Sequence, residues 1–176
     1  MLFDFFYIVS ELKKVPRNGW KKKVGIEHPE SVADHSYVTA IMSMVFSDTV
    51  GLNTEKILKM ALLHDMAESI TGDFTPEDIS KENKKIVENE VMGEILSKLP
   101  SKLGDEYKTI WTEYVQENSK EASLMHEIDR FEMAIQAVKY SSEGFSKEIL
   151  KTFVESARKE MKTKELLNIL DTISYK

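Results

Sequence analysis

The chain has 176 residues, of which 41% are hydrophobic and 31% charged, a composition typical of one globular domain with its own core. It contains no cysteine, which excludes disulfides, thiolate metal sites and cysteine nucleophiles. The net charge of −6 argues against a nucleic-acid polymer as partner, and no apolar stretch is long enough to span a membrane. The N-terminus carries Asp4 rather than a basic leader, so we expect a cytoplasmic protein.

Hydrophobic periodicity predicts helices along most of the chain, and no segment has the alternation of a strand. The predicted helices cover about residues 2–14, 32–50, 54–70, 79–99, 101–117, 121–142 and 146–174, with loops at 15–30 and 71–78. Glycine and proline mark several of the boundaries between them. The predicted fold class is therefore all-α, a compact multi-helix bundle that forms a single domain over residues 1–176.

The third predicted helix carries the stretch on which the functional hypothesis rests. Residues 61–74 read ALLHDMAESITGDF, with His64 and Asp65 adjacent in an apolar sequence and Glu68 one turn later. Residues three and four apart share a helix face, so these side chains can converge on one point. A neutral imidazole beside a carboxylate at the edge of a core indicates a divalent cation between them. The alternative is a satisfied core histidine beside an exposed aspartate.

Two residues elsewhere in the chain fit as ligands of the same ion. His35 lies one turn into the second predicted helix, and Asp129 lies between apolar residues of a later helix. An unpaired carboxylate in such a position would be costly, so Asp129 is either a ligand or the partner of a basic residue such as Arg130. Ligands inside a helical bundle come from helices that face one another, so residues of separate helices can bind one ion. The predicted metal ligands are therefore His35, His64, Asp65 and Asp129.

This pattern resembles the H…HD…D signature of the HD-domain metal-dependent phosphohydrolases, and within them the 5′-deoxynucleotidase branch. The similar segments are LKKVPRNGW (residues 12–20), PESVADHS (29–36), HDMAESITGD (64–73) and EIDRFEM (127–133), all within residues 12–140. The resemblance implies one divalent ion, Mn, Co, Mg, Fe, Ni or Zn, that activates water and neutralises phosphate charge. The implied reaction hydrolyses a deoxyribonucleoside 5′-monophosphate to a deoxynucleoside and phosphate.

The same resemblance assigns roles to four residues around the ion. Glu68 would be the general acid or base, and Asp73 would contact the sugar or support the water network. Glu68 and Asp73 together also offer a site for a second ion. Arg17 would clamp the phosphate, because its planar fork matches phosphate oxygens. Trp20 either lies against the deoxyribose, where it leaves no room for a 2′-hydroxyl, or packs the loop onto the core.

Several alternatives stay open from the sequence. His126 stands where relatives usually carry lysine, so it either contacts a metal ligand, is itself a ligand or takes the structural place of that lysine. A different substrate, a pyrophosphorylated nucleotide or a small phosphodiester, would use the same metal site. A non-catalytic, metal-containing helical module that binds a nucleotide is the third reading. Relatives are often dimers, which implies a homodimer formed through apolar residues of the first and penultimate helices.

Overall fold

The computed structural model describes residues 1–173, which are helical apart from turns, loops and one isolated bridge between Pro16 and Ser31. The helices are α1 (Leu2–Ser10), α2 (Asn18–Val24), α3 (Val32–Val50), α4 (Thr54–Leu63), α5 (Glu68–Thr71), α6 (Lys81–Leu96), α7 (Ser101–Gln116), α8 (Lys120–Ser142), α9 (Lys147–Glu160) and α10 (Lys164–Thr172). The predicted all-α class is confirmed. The predicted helix end at residue 174 and domain end at residue 176 lie outside the described residues. Over the described part of the chain, no helix has the length and apolar character needed to cross a membrane.

Local signals fix both ends of α3, the helix that carries His35. The Ser31 hydroxyl accepts a hydrogen bond from the Asp34 backbone N–H at 3.1 Å, and the Asp34 carboxylate accepts one from the Ser31 N–H at 2.9 Å. This reciprocal capping satisfies two donors that the first helical turn leaves unpaired. At the other end Gly51 has a φ of 72°, a left-handed conformation that glycine adopts without strain. The predicted bounds of α3 are confirmed.

The long helix α8 lies at the centre of the bundle and packs against α3, α4, α7 and α9. Side chains from these helices form the main core; among those with the least solvent exposure are Ile57, Met60, Met125, Ile128 and Leu150. A second core cluster around Trp111 joins α1, α6 and α7. The packing of α3, α4 and α8 brings three segments that are far apart in sequence to one place inside the molecule.

The prediction of one continuous helix over residues 54–70 is wrong. Helix α4 ends at Leu63, and residues 64–67 form a tighter turn before α5 begins at Glu68. The Met66 N–H donates to the Leu63 carbonyl at 3.1 Å and the Glu68 N–H to the Asp65 carbonyl at 3.0 Å, both three residues back. Three-residue bonds of this kind wind the chain more tightly than an α-helix.

Two other predicted boundaries are also wrong, and tertiary contacts explain both. The predicted loop over residues 15–30 contains α2, whose Trp20 packs against the rings of Tyr140 and Phe153. The predicted helix over residues 146–174 is divided into α9 and α10. At the break, the backbone N–H groups of Lys162 and Thr163 both donate to the Glu127 carboxylate, each at 2.8 Å, instead of continuing the helix.

Candidate metal centre and active site

The structure brings the four predicted metal ligands together. The His35 Nε2 atom, from α3, lies 3.2 Å from His64 Nε2 and 3.2 Å from Asp129 Oδ1 of α8. The Asp65 Oδ2 atom lies 3.2 Å from His64 Nε2 and 3.6 Å from His35 Nε2. The tight turn after α4 places His64 and Asp65 at the end of that helix, facing α3 and α8.

Both imidazole rings are oriented by a hydrogen bond on the nitrogen that faces away from the cluster. His35 Nδ1 lies 2.6 Å from the Glu132 carboxylate, and His64 Nδ1 lies 2.7 Å from the Ala61 carbonyl oxygen. A carbonyl and an ionised carboxylate only accept, so each Nδ1 carries a proton and each Nε2 faces the cluster. His35, His64 and Asp129 thus offer close donor atoms. Two imidazoles with carboxylates suit a first-row divalent ion.

Burial and charge act in opposite directions on this cluster. Burial and the charge of Arg17 lower the pKa of His35. Its hydrogen bonds to Asp129 and Glu132 outweigh both effects and raise that pKa to about 10. Burial raises the pKa of Asp129, but the hydrogen bond and charge of His35 outweigh it and hold that pKa below its usual range. Without an ion, the His35 imidazolium therefore supplies the positive charge that these carboxylates need.

Glu68 is a buried acid and not a surface residue at a helix end. Its side chain is 1% exposed; one carboxylate oxygen, Oε1, accepts a hydrogen bond from Lys84 Nζ at 3.1 Å. The other oxygen, Oε2, has no hydrogen-bond partner among the described residues. Burial, together with the charge of Asp65, raises the pKa of Glu68 well above its ordinary value, although Lys84 opposes this. A buried carboxyl with one free oxygen is suited to proton transfer.

Arg17 lies beside the predicted metal ligands, with Nη1 3.4 Å from Asp65 Oδ2. It is the N-cap residue of α2, and the next residue is bonded twice to Asp73. The Asn18 backbone N–H donates to Asp73 Oδ2 at 2.6 Å, and the Asn18 amide donates to the Asp73 carbonyl at 2.8 Å. The carboxylate of Asp73 therefore holds the turn that presents Arg17. Its contact with a sugar or a second ion stays a prediction.

Trp20 lies in the core beneath the Arg17 turn. The indole is 2% exposed, and its Nε1–H donates to Glu30 Oε1 at 3.0 Å. Its ring centroid is 5.3 Å from that of Tyr140 and 4.6 Å from that of Phe153. These contacts favour packing, the second of the two sequence-based alternatives, and contact with the deoxyribose stays a prediction.

Sequence reasoning missed two residues that contact predicted site residues, Glu132 and Lys84, and it left the role of His126 open. Glu132, three residues after Asp129 on the same helix face, had a usable signal in that spacing. Lys84 had none, because α6 has the charged pattern of a solvent-exposed helix. His126 lies 3.0 Å from the Tyr114 carbonyl through Nε2 and stacks on the Tyr114 ring, with centroids 4.2 Å apart. Within residues 1–173, it lies outside the groups of side chains able to hold an ion.

Comparison with known proteins defines the family of this chain. An HD domain model matches residues 9–169, so the chain belongs to the HD-domain family. It is 37% identical over 173 residues to the 5′-deoxynucleotidase HDDC2 of Homo sapiens, covering 98% of this chain and 84% of that protein. It is 43% identical over 144 residues to the 5′-deoxynucleotidase hdd1 of Schizosaccharomyces pombe, covering 79% of this chain and 72% of that one. A crystal structure of a protein from Pyrococcus horikoshii OT3 is similar with a TM-score of 0.79 and 31% identity, covering 97% and 96% of the two chains.

Proposed function

We propose that this protein is a metal-dependent phosphohydrolase that removes the phosphate from deoxyribonucleoside 5′-monophosphates. The main observation in support is the meeting of two imidazoles and two carboxylates, from His35, His64, Asp65 and Asp129, beside an arginine. The human and fission-yeast relatives are named as 5′-deoxynucleotidases, which supports the same substrate class.

The four clustered residues would hold one divalent ion, chosen from Mn, Co, Mg, Fe, Ni and Zn. When bound, such an ion supplies the Lewis acidity that activates water and neutralises charge on the phosphate. The nitrogen and oxygen donors are compatible with these ions but do not select among them, because the choice of metal in a cell also depends on geometry and on which ions are available.

Arg17 would bind the substrate, and Glu68 would donate the proton that the leaving group needs. Arg17 would bind the phosphate oxygens through two parallel N–H groups and hold phosphorus close to the clustered ligands. Glu68 keeps its proton to a higher pH than an exposed glutamate does, which favours the general-acid role. As the bond between phosphorus and the 5′-oxygen breaks, Glu68 would give that proton to the leaving oxygen.

Asp73 and Trp20 would contribute to recognition of the sugar. Asp73 would contact the sugar or, with Glu68, hold a second ion; it is bonded to Asn18 next to the phosphate-binding arginine, which supports a place at this edge of the site. Trp20 would disfavour a 2′-hydroxyl. Trp20→Phe tests this role: a narrower preference for dAMP over AMP supports it, and an unchanged preference removes Trp20 from the selectivity.

A phosphate-release assay over a panel of substrates and ions tests the function. We expect release from deoxynucleoside monophosphates that stops with a chelator and returns with a divalent ion. Glu68→Ala is expected to keep its metal and lose turnover, by a factor of about 10² or more. Preference for a pyrophosphorylated nucleotide or a phosphodiester would replace the proposed substrate. Binding of dAMP without hydrolysis under every ion would identify a non-catalytic module instead.

We also propose that the chain acts as a single cytoplasmic HD-type domain over residues 1–176 and as a homodimer. Exposed apolar residues support the dimer, and most of those in the described part of the chain lie on α1 and α3, among them Phe3, Phe6, Tyr7, Tyr37, Ile41 and Val45. The predicted penultimate helix, over residues 121–142, corresponds to α8, and none of the exposed large hydrophobics among the described residues lies on it. Light scattering tests this: we expect Ile41→Glu to convert a dimer of native helicity to a monomer.

A further inference from the structure

Lys84 brings a positive charge from α6 to the buried Glu68. Its Nζ atom lies 3.1 Å from Glu68 Oε1, 3.4 Å from the Phe74 carbonyl oxygen and 3.4 Å from Glu88 Oε1. Helix α6 carries none of the residues predicted for the site, yet it packs against α5, which begins with Glu68. An acid that is almost fully buried is therefore held by a lysine whose side chain is 29% exposed.

We propose that Lys84 is a positioning residue that fixes one oxygen of Glu68, so that the other oxygen, Oε2, exchanges the proton during phosphate hydrolysis. This inference rests on the proposed function and deepens the role of Glu68 in it.

The difference in hydrogen bonding between the two Glu68 oxygens supports this assignment. Oε1 is bonded to Lys84, whereas Oε2 is buried without a partner in the described part of the chain. The terminal torsion of a glutamate is broad and roughly two-fold, so a carboxyl without such a bond can exchange its oxygens. The Lys84 ammonium, bonded to Oε1, prevents this exchange of positions, so Oε2 stays the oxygen without a partner.

The surroundings of Lys84 distinguish positioning from direct phosphate binding. A lysine ammonium has three N–H donors, and three acceptors from Glu68, Glu88 and Phe74 surround Nζ. Two hydrogen bonds, to Glu68 and Phe74, and the ion pair with Glu88 therefore compete with a phosphate oxygen for this ammonium. Glu88 lies one turn further along α6 and forms an ion pair with the Lys84 ammonium, so two residues of that helix support the position of Glu68.

Steady-state kinetics with dAMP, on the ion-loaded protein, test the proposal. Lys84→Met keeps the length of the stem and removes the charge, and we expect kcat to fall by about tenfold or more with KM within about twofold. Lys84→Arg restores a donor and should recover part of kcat. Lys85→Met is the matched control, because Lys85 bonds the exposed Val115 carbonyl instead, and it should behave as wild type.

A double variant separates action through Glu68 from any other effect. In a Glu68→Gln background, Lys84→Met should lower kcat less than about twofold further, since residues that act as a unit are not additive. If the double variant loses kcat by the product of the two single-variant factors, the proposal is overturned. A raised KM with unchanged kcat would also overturn it, because it would make Lys84 a substrate-binding residue.

Metal content and thermal unfolding, measured on every variant, detect a merely structural effect. Loss of metal or a large fall in Tm, in proportion to the lost kcat and not recovered in Lys84→Arg, would overturn the proposal. Where Lys84→Met does not fold, Glu88→Gln decides: a lower kcat with unchanged KM supports positioning, and a wild-type kcat overturns it. If the wild type itself releases no phosphate, the proposed function fails and this inference with it. Wild-type activity with an equally active Lys84→Met refutes the inference alone.

Discussion

The ring of His35 connects the predicted metal ligands to a carboxylate behind them. Its pKa, raised to about 10 in the ion-free protein, makes it a cation at neutral pH. A metal ligand must be a neutral imidazole, so ion binding displaces this proton. We expect about one proton released per ion and an apparent affinity that rises about tenfold per pH unit below pH 10. Calorimetric titration with Mn²⁺ in buffers of different ionisation enthalpy, at about pH 6.5 and about pH 8.5, measures both quantities.

Glu132→Gln is the matched variant for this experiment. Glu132 raises the pKa of His35, so the neutral amide should lower that pKa and reduce the number of protons released at neutral pH. The affinity of the variant should then depend less steeply on pH. An affinity of the wild type that does not change with pH would contradict the expected protonation of His35.

Arg17 tests the phosphate-binding part of the site. Its guanidinium, 3.4 Å from Asp65, is expected to form charge-assisted bonds to the phosphate, and each such bond contributes about 1.5–3 kcal/mol. Arg17→Ala should therefore lower kcat/KM for dAMP by about tenfold to about a hundredfold. Arg17→Lys keeps the charge but lacks the planar guanidinium, so its kcat/KM should lie between those of the wild type and Arg17→Ala. Lys21→Ala changes an exposed neighbour and should have the kcat/KM of the wild type. Unchanged kinetics in Arg17→Ala would remove it from substrate binding.

At the scale of elements, the contact between α6 and α7 depends on one glycine. A Cβ added at Gly104 would lie 2.9 Å from the Leu96 carbonyl oxygen, so the backbone would have to shift. We expect Gly104→Ala to lower the free energy of unfolding by about 1–3 kcal/mol. Gly93→Ala, in α6 with open space around it, should raise that free energy by up to about 1 kcal/mol through helix propensity. Urea unfolding of both variants measures the difference, and equal effects would contradict the close approach.

Helix bounds that depend on local signals are predictable from this sequence. Ser31 and Gly51 delimit α3 as the cap and stop signals indicate. The ends that depend on distant residues are not predictable, because the hydrogen bonds from Lys162 and Thr163 to Glu127 join positions far apart in sequence. The same reason explains why α2, which is stabilised by the packing of Trp20, has the sequence pattern of a loop.

The residues of the candidate site likewise fall into those that the sequence identifies and those that only the packing of the helices identifies. Histidine is rare in this chain, so residue type and spacing are enough to identify His35 and His64 from the sequence. Lys84 is not identifiable in this way, because one lysine among many on a charged helix carries no distinguishing pattern. Only the packing of α6 against α5 shows which lysine reaches Glu68.

At the scale of the whole molecule, ion binding is expected to stabilise the fold. An ion that binds only the folded chain contributes about 2.7 kcal/mol at a concentration of a hundred times its Kd. For a domain of this size that corresponds to a rise in Tm of about 5–10 °C. Scanning calorimetry with and without chelator measures the shift. Asp129→Asn should show a smaller response to the chelator, and equal Tm values for loaded and stripped wild type would contradict the predicted site.

The four clustered residues come from positions 35, 64, 65 and 129, on three packed segments. A ribosome that synthesises this chain completes α3 and α4 well before Asp129 of α8 emerges. The nascent protein would therefore lack the full proposed set of ligands until most of it has been released, and the proposed ion would be taken up after synthesis, from the exchangeable pool around the finished molecule. The composition of that pool, in addition to the order of intrinsic affinities, would then decide which metal is bound.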